Sequence, residues 1–390
     1  MTMITCIPTR PLLVPNDKGS RISNNFDLVR ISMAMLVVWS HSFALYKGSE
    51  STELMSRLTQ GVINSGNFGV FVFFMVSGFL ITQSFDRSSS PWSYLKKRVA
   101  RIHPGFIVAT SICAFVIVPL YSSTATYTAG TVIKTIGLNL LLQGYFIDPA
   151  PFRQNPGSAL NGALWSIPYE FWCYFGVLAL GVLGFLKAKR RAFIFGLLIL
   201  LALVRGWLEL TGRKPGGGFI GLIIGWPYEW FKVLPCFLAG VLIYLYRDTI
   251  PRRLWIAVLG PTLVIAIANL PIVMPWKQSL VGLTFPPFVA YAVFYFAFSK
   301  QSFDAARYGD FSYGTYLYAY PIQQIVISSL GTAIPFWLYV PLVMLLSLTA
   351  GVLSWYVVER WFSRSKTGGK HGLGHAKLAI TDSVRQIPEG

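Results

Sequence analysis

Long apolar runs separated by short polar segments recur along the chain, at about 26–46, 64–84, 105–122, 164–186, 192–210, 229–247, 254–271, 279–298, 312–332 and 336–360. Each is close to the roughly 20 residues that an α-helix needs to cross the hydrocarbon core of a bilayer. Lipid tolerates only elements that satisfy their own backbone hydrogen bonds, so the pattern predicts an all-α integral membrane protein, a polytopic bundle of about ten transmembrane helices with both ends on one side. Residues 47–63 read as a polar loop and 86–104 as a basic loop closed by Pro104. The segment 123–163 carries an amphiphilic stretch, 131–147, too weak for a span; it reads as a helix lying at the surface or re-entering. The chain thus divides into an N-terminal tail (1–25), a membrane domain (26–362) and a Gly-rich, disordered tail (363–390). The first 25 residues are polar and lead into a full-length span without a small-residue cleavage site, which reads as a cytoplasmic tail and not a signal peptide.

Composition sharpens this. At 54% hydrophobic and 12% charged, the 390 residues carry more apolar surface than a soluble domain hides. A net charge of +18 invites a nucleic-acid partner, but the basic residues fall between the spans and not on one face, so no such partner is expected. Of the lysines and arginines outside the spans, 23 fall on the side of the N-terminus and 8 on the other. That asymmetry places both termini in the cytoplasm of a multi-pass protein of the inner (plasma) membrane. Cys6, Cys113, Cys173 and Cys236 have no CxxC spacing, and His371 and His375 sit in the Gly-rich tail, so neither a disulfide framework nor a metal site is expected.

The first span is the one that carries chemistry. It holds Asp27, Arg30 and His41, and intramembrane charge is costly enough to ask for a function. The eleven steps from Arg30 to His41 return to nearly the same helix face about 16 Å further along. Arg30 is either a residue snorkelling to the inner headgroups or a ligand contact. His41 is either a packed histidine or a base, ligand or proton carrier. Counted from Leu164 at the outer surface, Glu170 lies about 9 Å deep, in the layer of His41. Ser166 and Tyr174, each four residues away, share its face as hydrogen-bonding partners and substrate contacts. His103 is placed at the cytoplasmic edge, which leaves His41 the single histidine within a predicted span. Arg98 and Arg101 read either as a positive-inside flank or as a grip for a phosphorylated cytosolic ligand. With Arg30 they would neutralise such a ligand at a membrane face where no acidic residue is expected. Arg205 and Glu209, four apart, are expected to pair with each other.

Several stretches together resemble the acyltransferase-3 family of membrane O-acyltransferases. They are Phe26-Asp27-Leu28-Val29-Arg30 with His41, Phe73-Phe74-Met75-Val76-Ser77-Gly78-Phe79-Leu80, Arg98 and Arg101 with Ile102 and Pro104, Leu164-Trp165-Ser166 with Glu170, Ser312-Tyr313 with Tyr316-Leu317, and Glu359. Many members carry a histidine two residues after that Tyr-Leu pair, where this chain has Ala319. The resemblance implies an enzyme that takes an acyl group, usually acetyl, from cytosolic acyl-CoA and places it on a hydroxyl of a carbohydrate, with no metal. His41 and Glu170 are then the expected catalytic residues and Arg30, Arg98 and Arg101 the expected donor-binding residues. The acceptor is a surface or exported polysaccharide; a macrolide-like cytosolic acceptor and a proton-coupled secondary transporter are the alternatives.

Overall fold

The computed structural model describes residues 24–299 and 308–363. The predicted tails, with Cys6, His371 and His375, fall almost wholly outside the described residues. Ten long helices run through the described residues: α1 (Phe26–Lys47), α2 (Ser65–Asp86), α3 (Pro91–Tyr121), α4 (Ile167–Val182), α5 (Arg191–Thr211), α6 (Pro227–Leu245), α7 (Leu254–Ala268), α8 (Met274–Ala297), α9 (Ser312–Leu330) and α10 (Phe336–Phe362). They match the ten apolar runs in order. Seven are long and apolar enough to cross a membrane. The other three fall short on length or polarity: α4 has 16 residues, α7 has 15, and α9 carries Gln323 and Gln324 among its tyrosines.

The largest boundary error concerns α3. The basic segment expected as a loop is helical from Pro91, because Ser90 accepts from the Ser93 N–H at 3.1 Å as an N-cap and Pro91 sits where a missing N–H costs nothing. Pro104, read as the end of that loop, lies inside the helix. Arg98, Arg101 and His103 are therefore helical residues, and His41 is not the single histidine of an apolar helix.

The bundle is built around α2 and α6, whose apolar windows are 61% and 67% buried, against 28% for α10. Glycine decides how close they come. A Cβ at Gly78 would lie 2.0 Å from the Phe237 carbonyl oxygen, and one at Gly240 would lie 1.9 Å from that of Met75. Small residues at a crossing let backbones touch, which is how helices associate in lipid. We expect Gly78→Ala or Gly240→Ala to push these helices apart at a cost of about 1–3 kcal/mol, as overpacking does. Thermal unfolding of the detergent-solubilised protein measures this, and an unchanged midpoint would contradict the close crossing.

The amphiphilic stretch forms a helix, Ala129–Leu140. The chain that follows does not stay at the surface. Pro321 in α9 has no N–H for the Leu317 carbonyl one turn earlier. That carbonyl accepts from the Asn161 side chain at 2.9 Å. The Gln324 amide donates to the Gly157 and Ala159 carbonyls at 2.6 and 2.7 Å, and Leu160 is fully buried. Residues 141–163 thus fold into the bundle, and α4 starts at depth.

Candidate active site

Two polar clusters lie on one side of α1. The first is at the end of the bundle where α1 begins. Arg30, the α3 residues Lys96, Lys97, Arg98 and Arg101, Glu170 and Tyr174 of α4, Ser77 of α2 and Tyr313 of α9 line a basin of about 570 Å³. The helix that Ser90 starts is what arranges the cations, since Lys97 and Arg101 are four apart and Arg98 and Arg101 three apart on its surface.

The expectation that no acid stands beside these cations is wrong. Asp310 takes ion pairs from both Arg30 and Arg101, and Arg101 also reaches Glu359 at 3.3 Å. Burial pushes the Asp310 carboxyl up, but Arg101, Arg30 and two hydrogen bonds from Ser312 outweigh it and hold it down at about 2. The carboxylate is ionised throughout the physiological range, so it ties α1, α3 and the start of α9 together. Arg98 is placed differently. Its guanidinium lies 5.9 Å from the Tyr174 ring centroid, and its buried Nε has no hydrogen-bond partner. Among the described residues no carboxylate pairs with Lys96, Lys97 or Arg98.

Glu170 accepts from the Ser77 hydroxyl at 2.7 Å and the Tyr174 hydroxyl at 3.0 Å. The Tyr174 bond is the one expected. Ser166 is not a partner of Glu170: its hydroxyl lies 2.7 Å from that of Tyr316. Ser77 precedes the Gly78 crossing, which fixes its position against α4. Sequence reasoning set Ser77 aside because Met75 occupies the place of the first glycine in a nucleophile elbow; the structure gives it an anchoring role instead.

The second cluster surrounds His41, about 16 Å along α1 from Arg30. The His41 ring meets Tyr320 edge-on at 5.1 Å between centroids. Its Nδ1 is 3.7 Å from Glu50 Oε1. Gly48 takes a left-handed φ of 73° at the end of α1, which turns the loop back so that Glu50 comes over the imidazole. Ser40 donates to Glu50 at 3.3 Å, and Asn64 donates to its other oxygen while capping α2. Glu53, fully buried, accepts from the Ser65 N–H at 2.9 Å and pins the same loop.

His41 and Glu170 do not share a layer. The depth count assumed that Leu164 lies at the surface, whereas residues 141–163 have already carried the chain inward, so Glu170 joins the basin with Arg30. The carboxylate beside His41 is Glu50, which the sequence reading missed. Its signal was a pair of acids, Glu50 and Glu53, in a short loop directly after a glycine. Asp310 was missed too, being a lone acid before α9, while Glu359 stood among the resemblance motifs with no partner assigned. Ala319 is buried in α9 next to Tyr320. Arg205 and Glu209 are 3.7 Å apart and buried, as their spacing predicts.

Comparison with known proteins gives consistent results. A family model described as an acyltransferase domain matches residues 23–356. An O-acetyl transferase of Shigella phage Sf6 is 28% identical over 348 residues, 87% of this chain and 96% of the relative. Nodulation protein 10 of Rhizobium leguminosarum bv. viciae is 37% identical over 100 residues, a quarter of each chain. No solved structure matches.

Proposed function

The chain belongs to the acyltransferase family, and from that premise we propose that it moves an acetyl group from acetyl-CoA on the cytosolic side of the inner membrane to a hydroxyl of a cell-surface or exported carbohydrate. One observation carries the reading. A cationic basin at one end of α1 and a carboxylate-flanked histidine at the other place the two chemistries that this transfer needs at opposite ends of one buried face. In this reading all ten long helices cross the membrane, the basin faces the cytosol and both termini lie there, as the basic asymmetry expects.

The basin suits CoA. Five cations against Asp310, Glu359 and Glu170 leave a net positive surface, and Arg98 brings donors not already satisfied by protein. Arg101 and Arg30, shared with Asp310, form the floor beneath it. Glu170, fixed by Ser77 and Tyr174, sits at the neck through which the thioester would enter.

The acceptor hydroxyl is a weak nucleophile at neutral pH, and a base that takes its proton as the bond forms is worth about 10² to 10⁴ in rate. His41 fills that role with Nε2, while Glu50 faces Nδ1 and steadies the ring and the charge it acquires. The acceptor oxygen bonds to the thioester carbonyl carbon, the C–S bond breaks, and the proton passes from the hydroxyl to His41 and on to the CoA thiolate. A transient acyl-histidine that carries the group between the clusters uses the same residue. The Shigella phage relative, named as an O-acetyl transferase over nearly its whole length, supports acetyl transfer to oxygen. The transporter alternative has no support from the family match.

Incubating membranes that contain the protein with radiolabelled acetyl-CoA tests this. Label should enter alkali-labile ester on carbohydrate. A protein-dependent label that appears only in small cytosolic molecules would move the acceptor to the other compartment, and no label in any ester would reject the reading.

A further inference from the structure

We propose that Phe73 and Tyr316 form an acyl-length filter that admits an acetyl group and turns back longer chains. This deepens the reading above and rests on it. The basin of about 570 Å³ narrows between Arg30, Ser77, Glu170 and Tyr313, and those four residues also line a chamber of about 40 Å³ beyond the neck. On the same measure one water needs roughly 10–15 Å³, so the chamber holds about three heavy atoms. A methyl, a carbonyl carbon and its oxygen fill it. The first extra methylene has no room.

The far wall is stiff for identifiable reasons. The rings of Phe73 and Tyr316 meet at 71° with centroids 6.0 Å apart. Tyr316 is buried, and its hydroxyl donates to the Ala163 carbonyl at 2.5 Å and lies 2.7 Å from Ser166 Oγ. Swinging it away would orphan both oxygens inside the bundle, which is costly. Residues 141–163, drawn inward by Leu317 and Gln324, supply Ala163 and so hold the wall from behind. One turn along α9, Tyr320 meets the His41 ring, so the Phe73–Tyr316 pair stands between the donor basin and the histidine. The acyl group reaches that point before it meets the acceptor, and its length is read there. Phe73 is the member to vary, because it is only half-buried and makes no hydrogen bond that its removal would break.

The test supplies membranes with equal acetyl-CoA and propionyl-CoA and measures acetate and propionate released by alkali from carbohydrate. A ratio within one protein does not depend on expression level. One methylene in a pocket discriminates by roughly 10- to 200-fold, so the wild type should favour acetate by at least about tenfold. Phe73→Ala should lower that preference about tenfold or more, with Phe73→Leu between. A wild-type ratio near one, or a Phe73→Ala ratio equal to the wild type, overturns the filter while leaving acetyl transfer standing. No ester from the wild type overturns the function itself and the filter with it. Should Phe73→Ala fail to reach the membrane, Phe73→Leu gives the same reading, and an unmoved ratio in it overturns the filter equally.

Discussion

Replacing His41 by alanine is expected to abolish acyl transfer, a loss of about 10² to 10⁴ or more in rate, while the protein stays in the membrane. The imidazole is half-buried, touches Tyr320 by its edge and accepts no printed structural hydrogen bond that alanine would break. Its removal should therefore cost chemistry more than packing. Glu50→Gln tests the orienting role separately. It keeps the shape and the bonds from Ser40 and Asn64 but removes the charge facing Nδ1. We expect kcat to fall about tenfold or more with the donor KM unchanged, and Glu50→Asp to recover part of the loss. Glu170→Gln should do the reverse, raising the donor KM, because Glu170 belongs to the basin neck with Ser77 and Tyr174. Steady-state kinetics on purified membranes separates the two. A well-expressed His41→Ala protein that transfers at the wild-type rate would reject the histidine as base and as acyl carrier alike.

The second large effect concerns the donor grip, and here two neighbouring arginines should behave differently. Arg98→Ala removes unsatisfied donors from the basin rim. Charged hydrogen bonds contribute about 1.5–3 kcal/mol, so affinity for acetyl-CoA should weaken roughly 10- to 100-fold, with Arg98→Lys in between because lysine keeps the charge but not the fork. Arg101→Ala leaves Asp310 and Glu359 without their shared cation. Breaking a buried pair costs about 3–5 kcal/mol, so this variant should lose thermal stability first and affinity second. Isothermal titration with acetyl-CoA and thermal unfolding, run on both proteins, distinguish these outcomes. Equal affinity in wild type and Arg98→Ala would reduce Arg98 to a topological determinant.

The ten helices were legible in the sequence because bilayer thickness imposes one length on every apolar run. What the runs could not show is where a helix begins relative to the others. α3 was shortened because Pro104 resembled a stop, although Ser90 and Pro91 are the better start signals. Glu170 was placed one layer too far out because depth was counted from a surface that residues 141–163 had already left. Arg30 and His41 were both singled out correctly as buried polar groups on one face, since helical periodicity alone relates them. Their partners, Asp310 and Glu50, come from loops 280 residues and nine residues away respectively, and no local pattern reports such contacts.

The claim at the centre is that this chain places an acyl ester on an envelope carbohydrate by way of His41. Proton NMR of the surface polysaccharide from a deletion strain, the same strain with the wild-type gene, and the same strain with His41→Ala tests it most directly. The account predicts an O-acetyl methyl signal that appears with the wild-type gene, is absent in the deletion and is absent with His41→Ala. An identical ester methyl signal in all three polysaccharides would contradict it.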